Sequence, residues 1–414
     1  MLTVMRNSWA LLLGVMLLML GNGIQGTLLG IRGKIEGFSA LQMSCVMSAY
    51  YLGFLFGSRM APEMIRRVGH VRVFAALGSL VSAVLILYPV ALDWMAWSAM
   101  RVVVGFCFSG IYITSESWLN SSTTNETRGQ ALSAYMIMQM VGVISSQALL
   151  NLRAPEGFDL FVISSILVSV AFTPILLSAG QAPPFERTRP LALSALFRTS
   201  PLGCVGMFLM GGIFAAQFGM AAVWGSEIGL SVRNLSLFVG SIYVGGLVLQ
   251  YPIGWASDRF DRRQLIMALA AIGALVTFAG VALPWNMPVL IAIGFLSGGV
   301  SNPIYSLLVA YVNDHLDRSE MAGASAGLLF INGLGAIGGP LLTGWFMGRF
   351  GAGGYFLFMA LLFSGIALYA LWRMTRRHAH NFVRRRYRAL SPTASSVAVE
   401  AAIERDADQP APKH

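Results

Sequence analysis

Twelve apolar stretches follow one another along this 414-residue chain, and its charged residues fall almost entirely in the gaps between them. The stretches run approximately 9–31, 38–58, 71–92, 95–117, 129–151, 159–180, 203–226, 233–255, 264–283, 286–311, 321–348 and 352–372. Each is long enough, at about 1.5 Å per helical residue, to cross a hydrocarbon core of about 30 Å. Backbone polar groups in hydrocarbon must bond within their own segment, so helices are the form expected. Only 11% of the residues are charged, where a soluble domain carries roughly 25%. A larger core cannot account for that deficit, because a larger protein still has a surface to cover. The expected fold is therefore an all-α polytopic membrane protein with twelve transmembrane helices.

The net charge of +10 raises a nucleic-acid reading, which the placement of the cations excludes. With the N-terminus on one side, 22 of the 28 Lys and Arg residues fall in the N-terminus, the even-to-odd loops and the tail. The opposite loops hold only Arg32, Lys34, Arg153, Arg233 and Arg349. This is the positive-inside pattern, and it predicts a multi-pass bacterial inner-membrane protein with both termini cytoplasmic. Met1–Gly21 has the outline of a signal peptide, but the apolar run continues to about Ile31, so it is read as an uncleaved first span. Cys45, Cys107 and Cys204 each lie in an apolar run, without the spacing of a disulfide framework or zinc site. Neither a metal nor a cofactor is expected.

An internal repeat divides the chain. The stretch Gly254-Trp-Ala-Ser-Asp258-Arg259-Phe-Asp261-Arg262-Arg263 lies between two spans and must sit at a membrane surface, because its ions cannot be stranded in hydrocarbon. A worn copy occurs at Pro62-Glu-Met-Ile-Arg66-Arg67-Val-Gly69-His70-Val-Arg72, with Arg67 192 positions before Arg259. The long polar connection 181–202 separates two sets of six spans. The expected organisation is a six-helix bundle over 1–180, a cytoplasmic linker over 181–202 and a second bundle over 203–372. A basic and then disordered tail follows over 373–414, its arginines (376–388) acting as an anchor on anionic lipid.

The pattern G-x-x-x-D-R-x-(G/D)-R-R resembles the signature between helices 2 and 3, and again 8 and 9, of the major facilitator superfamily. A second likeness is Arg101-x-x-x-Gly105-x-x-x-x-Gly110 in span 4. The run 21–30, the stretch from Met47, the loop 65–74 and Glu116-Ser-Trp-Leu-Asn120 are similar to a bacterial subgroup of uncharacterised transporters, the YcaD-type group. The resemblance implies two pseudo-symmetric six-helix bundles with a substrate site near the midplane between them. It implies that Asp258 meets a helix N-terminus of the other half, where the dipole and open N–H groups favour a carboxylate. Arg259, Arg262 and Arg263 then need carboxylates, for which Asp314 and Asp317 are candidates. In the first half Pro62 replaces the glycine and Arg66 the aspartate, so that loop departs from the pattern. A cytoplasmic gate of Arg67, Glu116, Asp258, Arg259, Arg262 and Asp314 is the expectation, against ordinary solvated loop charges.

Within the spans, polar residues gather on segments 1, 4, 7 and 10, the cavity-lining helices of the family. Arg101, Gly105, Tyr112 and Glu116 share one face of span 4. Arg101 lies about 10 Å from the outer end and must face protein or water. It favours an anionic or zwitterionic substrate, tunes a proton site, or serves as a structural arginine bonded to span 1. Asn22 and Gln25 lie on one face of span 1. Phe214, Gln217 and Trp224 form one stripe of span 7, and Asn302 and Tyr305 face the same way beside Pro303, where a kink is expected. Gln139 and Asn332 complete the candidate cavity.

These features together predict a monomeric secondary transporter of a small molecule, working by alternating access. No carboxylate sits at mid-membrane; proton coupling, implied by the family alone, would run through Glu116, Glu227 or the substrate itself. A transporter-like sensor or scaffold with the basic tail as output is the second reading. No H-E-x-x-H motif or Cys/His cluster points to an enzyme.

Overall fold

A computed structural model describes residues 2–121, 123, 125–177, 192–376 and 390. The polypeptide is helical throughout its described spans. The first half comprises α1 (Leu2–Ile35), α2 (Ala40–Val68), α3 (His70–Leu87), α4 (Trp94–Ser121), α5 (Asn125–Leu149) and α6 (Asp159–Leu177). A short α7 (Leu193–Thr199) leads into the second half: α8 (Pro201–Phe214), a π-helical turn (Ala215–Met220), α9 (Ala221–Glu227), α10 (Val232–Ser257), α11 (Arg262–Ala282), α12 (Met287–Asn313), α13 (Arg318–Phe350) and α14 (Gly354–Arg376). The segment α8–π–α9 is one span, so twelve helices are long and apolar enough to cross a membrane. Side chains such as Leu80, Val170, Leu275 and Leu368 stay exposed, as a lipid-facing surface requires.

The halves are built alike. In the first, α1 packs on α5 and α6, α2 on α4, and α3 on α4 and α6. In the second, α8 packs on α13 and α14, α10 on α12, and α11 on α12 and α14. The α2–α4 and α10–α12 pairs use the same device. A Cβ on Gly53 would lie 1.9 Å from the Val102 carbonyl oxygen, and one on Gly245 would lie 1.9 Å from that of Phe295. Gly53 and Gly245 are 192 positions apart, the offset of the charged loops. Facing them, Gly105 approaches the Tyr50 carbonyl at 1.9 Å and Gly298 that of Ile242 at 2.0 Å, measured from the same added Cβ. Helices in lipid gain no hydrophobic drive from one another, and close backbone contact through small residues replaces it. The repeat thus preserves a packing contact as well as a loop.

Two sequence expectations need correction. Span 2 does not end near 58: α2 continues through Pro62 to Val68. Its last turns are held by Glu63, which accepts from Arg66 Nη2 at 2.6 Å and Arg67 Nε at 2.7 Å. The helix stops at Gly69, whose φ of +85° suits glycine and whose N–H bonds the Ile65 carbonyl. The linker is not wholly irregular, since α7 occupies its end; residues 178–191 lie outside the described part. Pro303 lies inside α12. Of the tail, residues 373–376 form the end of α14 and Leu390 is described, while 377–389 and 391–414 lie outside the described residues. Leu390 is buried, donates its N–H to Ser306 Oγ at 2.9 Å and accepts from it at 3.2 Å.

Candidate functional site

A cavity of about 180 Å³ lies between the halves, midway along the helices. Residues of α1, α2, α4 and α5 form one wall, and residues of α8, the π turn, α9, α10, α12 and α13 the other. Asn22, Arg101, Tyr112, Gln139, Asn302 and Asn332 line it. Asn332 donates to the Met207 carbonyl at 3.0 Å and Asn302 to that of Gly298 at 3.2 Å.

Arg101 is the one charged side chain among the described lining residues. It is 5% exposed. Its Nη1 donates to Gln25 Oε1 at 3.2 Å, its Nη2 lies 3.6 Å from Met47 Sδ, and its guanidinium sits 4.6 Å from the Tyr50 ring centroid. Gln25 therefore stands behind the wall and orients Arg101. Gln217 likewise stays off the wall, accepting from Ser301 Oγ at 2.8 Å. Tyr305 packs behind Phe214.

Trp224 is not a cavity residue. It is fully buried near the opposite end, against Tyr355, Phe356, Phe238 and Trp285, and donates to the Ala352 carbonyl at 2.9 Å. The stripe Phe214–Gln217–Trp224 assumed a regular 3.6-residue period. The π turn over Ala215–Met220 shifts the register, so residues beyond it face elsewhere.

Sequence reasoning missed an aromatic lining. Tyr50, Tyr51 and Phe54 of α2 face Phe218 of the π turn and Tyr243 of α10. Phe214, Phe218 and Tyr243 form a stacked ladder, with centroids 5.8 and 4.8 Å apart and planes 21° and 22° from parallel. The adjacent tyrosines 50 and 51, followed by Phe54, are the signal that could have marked α2 as a wall.

The end of the molecule away from the Arg67 and Arg259 loops is sealed across the halves. Lys34 Nζ lies 2.9 Å from Glu227 Oε2. A Cβ on Gly30 would come within 2.8 Å of the Ala222–Val223 backbone. Ser48 Oγ donates to the Ile337 carbonyl at 2.6 Å, and Asn151 Nδ2 to Ser236 Oγ at 3.4 Å. Lys34 and Glu227 are 193 positions apart, nearly the repeat offset. Repeat-related positions can touch only near the pseudo-twofold axis, so this seal closes the molecule on its axis.

At the Arg-rich end Arg262 is buried and ion-paired with Asp314, and it also donates to Ser257 Oγ and the Ala310 carbonyl. Arg263 pairs with Asp261 at 3.0 Å. Arg259 lies 3.9 Å from the Trp255 ring centroid. Asp258 caps α10, its N–H on the Gly254 carbonyl at 3.3 Å. In the first half Arg67 pairs with Glu63 of its own helix, while Glu116 is fully buried in α4. Between the halves Arg59 stacks on Phe330 at 4.5 Å.

The Major Facilitator Superfamily profile matches residues 11–231 and 202–399. The uncharacterized MFS-type transporter YcaD of Escherichia fergusonii is 24% identical over 378 residues, covering 91% of this chain and 97% of that protein. An uncharacterized MFS-type transporter of Yersinia pestis is 24% identical over 372 residues, covering 89% and 95%. Among solved structures, a mutant form of the nucleoside transporter NupG superposes with a TM-score of 0.78 at 13% identity, covering 88% of this chain and 99% of that one. A bacterial homolog of the human lysosomal transporter Spinster, inward-facing and unoccupied, gives 0.67 at 13% identity, covering 97% and 98%.

Proposed function

We propose that this chain, which belongs to the Major Facilitator Superfamily, is a secondary transporter that moves a small molecule by alternating access. The carrying observation is the central cavity built from both halves, with one end sealed by contacts that join them. Rocking the halves about that cavity would break the Lys34–Glu227, Ser48–Ile337 and Asn151–Ser236 contacts and expose the cavity there. The charge parity of the loops supports assigning the sealed end to the outer face and both termini to the cytoplasm. Asp258, Arg259 and Arg67 then belong to the opposing, cytoplasmic gate, while the buried Arg262–Asp314 pair fixes the loop that carries it.

Among the described residues, one acid is suited to proton coupling. Glu227 is engaged across the seal with Lys34, whereas Glu116 is buried beside Tyr112, Tyr135 and Tyr305. A carboxyl inside a membrane protein is costly to keep ionised, and such groups mark proton relays. Glu116 carries the coupling proton in this reading.

The test needs no substrate. In a background with Cys45, Cys107 and Cys204 replaced by Ser, Lys34→Cys and Glu227→Cys are oxidised to a cross-link. A third cysteine at Thr27, which lines the cavity, reports access to a membrane-impermeant maleimide. With the cross-link formed, Thr27→Cys, read on its own peptide by mass spectrometry apart from the thiols at 34 and 227, should react only in inside-out vesicles; after reduction that same peptide should react from both sides. Identical labelling before and after reduction would remove the alternating-access reading and favour a sensor or scaffold.

A further inference from the structure

We infer that the central cavity binds a planar aromatic monoanion, its carboxylate on Arg101 and its ring against the Phe214–Phe218–Tyr243 ladder. This rests on the cavity being the binding site of the proposed transporter.

The charge argument comes first. A buried guanidinium keeps its charge, and burying a charge without an opposite one is costly. The described partners of Arg101 are a Gln amide oxygen, a thioether and a tyrosine face, all neutral. The described lining residues include no carboxylate. A cationic solute would meet a like charge and nothing to balance it, whereas an anion supplies what the site lacks. The Nε of Arg101 is buried without an acceptor. It is an N–H donor, so the site calls for acceptor atoms. A carboxylate is the acceptor that a guanidinium fork takes in bidentate fashion.

The shape argument is independent. Phe214, Phe218 and Tyr243 present a stacked aromatic edge on the second half, and Tyr50 links that region to Arg101 on the first. Aromatic rings pair at centroid distances of about 4.5–7 Å in offset or edge-on geometry, so a flat ring adds to such a ladder. The π turn carries Phe218, and such turns recur at functional sites. One cation plus an aromatic wall spanning both halves selects for one negative charge and one flat ring. A solute touching both would couple occupancy to the relation of the halves.

The experiment uses three solutes sharing an indole ring and differing in charge: indole-3-acetate, tryptophol and tryptamine. Binding to the full-length protein in nanodiscs is measured by equilibrium dialysis. We expect indole-3-acetate to bind at least about 10-fold more tightly than tryptophol, with tryptamine weakest. Arg101→Gln should abolish that preference while leaving tryptophol binding within about 2-fold. Arg101→Lys should retain the preference, which separates loss of charge from loss of fold. Cyclohexylacetate should bind more weakly than phenylacetate, and Phe218→Ala should erase that difference. Equal binding of the anion and the neutral alcohol, a preference that survives Arg101→Gln, or no binding by any of the three would each overturn the inference. Alternating access is judged separately by the maleimide experiment, so a site that takes the anion without changing sides would identify a sensor's pocket.

Discussion

The two repeat-related charged loops occupy matching positions and do different work. In the first half, Glu63, Arg66 and Arg67 form i,i+3 and i,i+4 pairs along one helix, with the arginine side chains 59% and 71% exposed. In the second, Arg262 is 4% exposed and Asp314 10%, and their pair joins α11 to α12 with a further bond to Ser257 of α10. The arginines of the first cluster finish a helix in water, while His70, the counterpart of Arg262, is buried against Ser117 of α4 at 2.9 Å; the second cluster clamps three helices through an ion pair. The repeat keeps a buried link between its third and fourth helices in both copies, but only the second makes it with a charge pair. The position decides it: Arg66 stands where the second loop has Asp258, and Glu63 satisfies the first-half arginines within their own turn.

The largest contrast should come from Arg262→Ala. Removing one member of a buried pair leaves the other charge uncompensated, at a cost of about 3–5 kcal/mol. Urea or thermal unfolding in detergent should show that loss, with Asp314→Asn behaving alike; a variant as stable as the parent would break the comparison. Next in size, Gly53→Ala and Gly245→Ala should each destabilise by at least about 1–3 kcal/mol, because the new methyl meets a carbonyl oxygen that helix geometry holds in place. Equal losses in the two halves would show that the repeat kept its packing while its loops diverged. A loss in one half alone would make that contact as asymmetric as the charges. The smallest effect belongs to Arg66→Ala and Arg67→Ala, whose pairs are screened by water. Their melting temperatures should match the parent at both low and high salt, and a clear drop would show that the first loop is also a clamp.

Much of this was legible because hydrocarbon leaves so few choices. Twelve spans, the repeat and the parity of the cations could be read from where charge is allowed. Arg101, Asn22, Gln139, Asn302 and Asn332 stood out as polar residues in apolar helices, and all five line the cavity. What escaped notice was the apolar or aromatic part of the same site. The tyrosines at 50 and 51 with Phe54 were a mark on α2, but Phe218 looks like any other span residue, and their facing one another depends on contacts between distant helices. The seal was hidden for a related reason: Lys34 and Glu227 are ordinary loop-end charges until the two halves meet on their axis. Trp224 was misplaced because one π turn resets a helical register that was counted as regular. The extension of α2 was hidden by Pro62, which argues for an ending that the Glu63 pairs outweigh.

The central claim is that the two ends of the cavity open in opposition. Spin labels at the exposed Ile35 and Arg233, beside the seal, and at the exposed, repeat-related Val68 and Phe260, by the charged loops, report both ends by pulsed dipolar spectroscopy in nanodiscs. Lys34→Ala removes the ion pair on the axis without touching the cavity wall. The account predicts that this variant shifts the 35–233 pair toward longer distances and the 68–260 pair toward shorter ones, in matching proportions. Distances that stay unchanged, or that lengthen together at both ends, would contradict it.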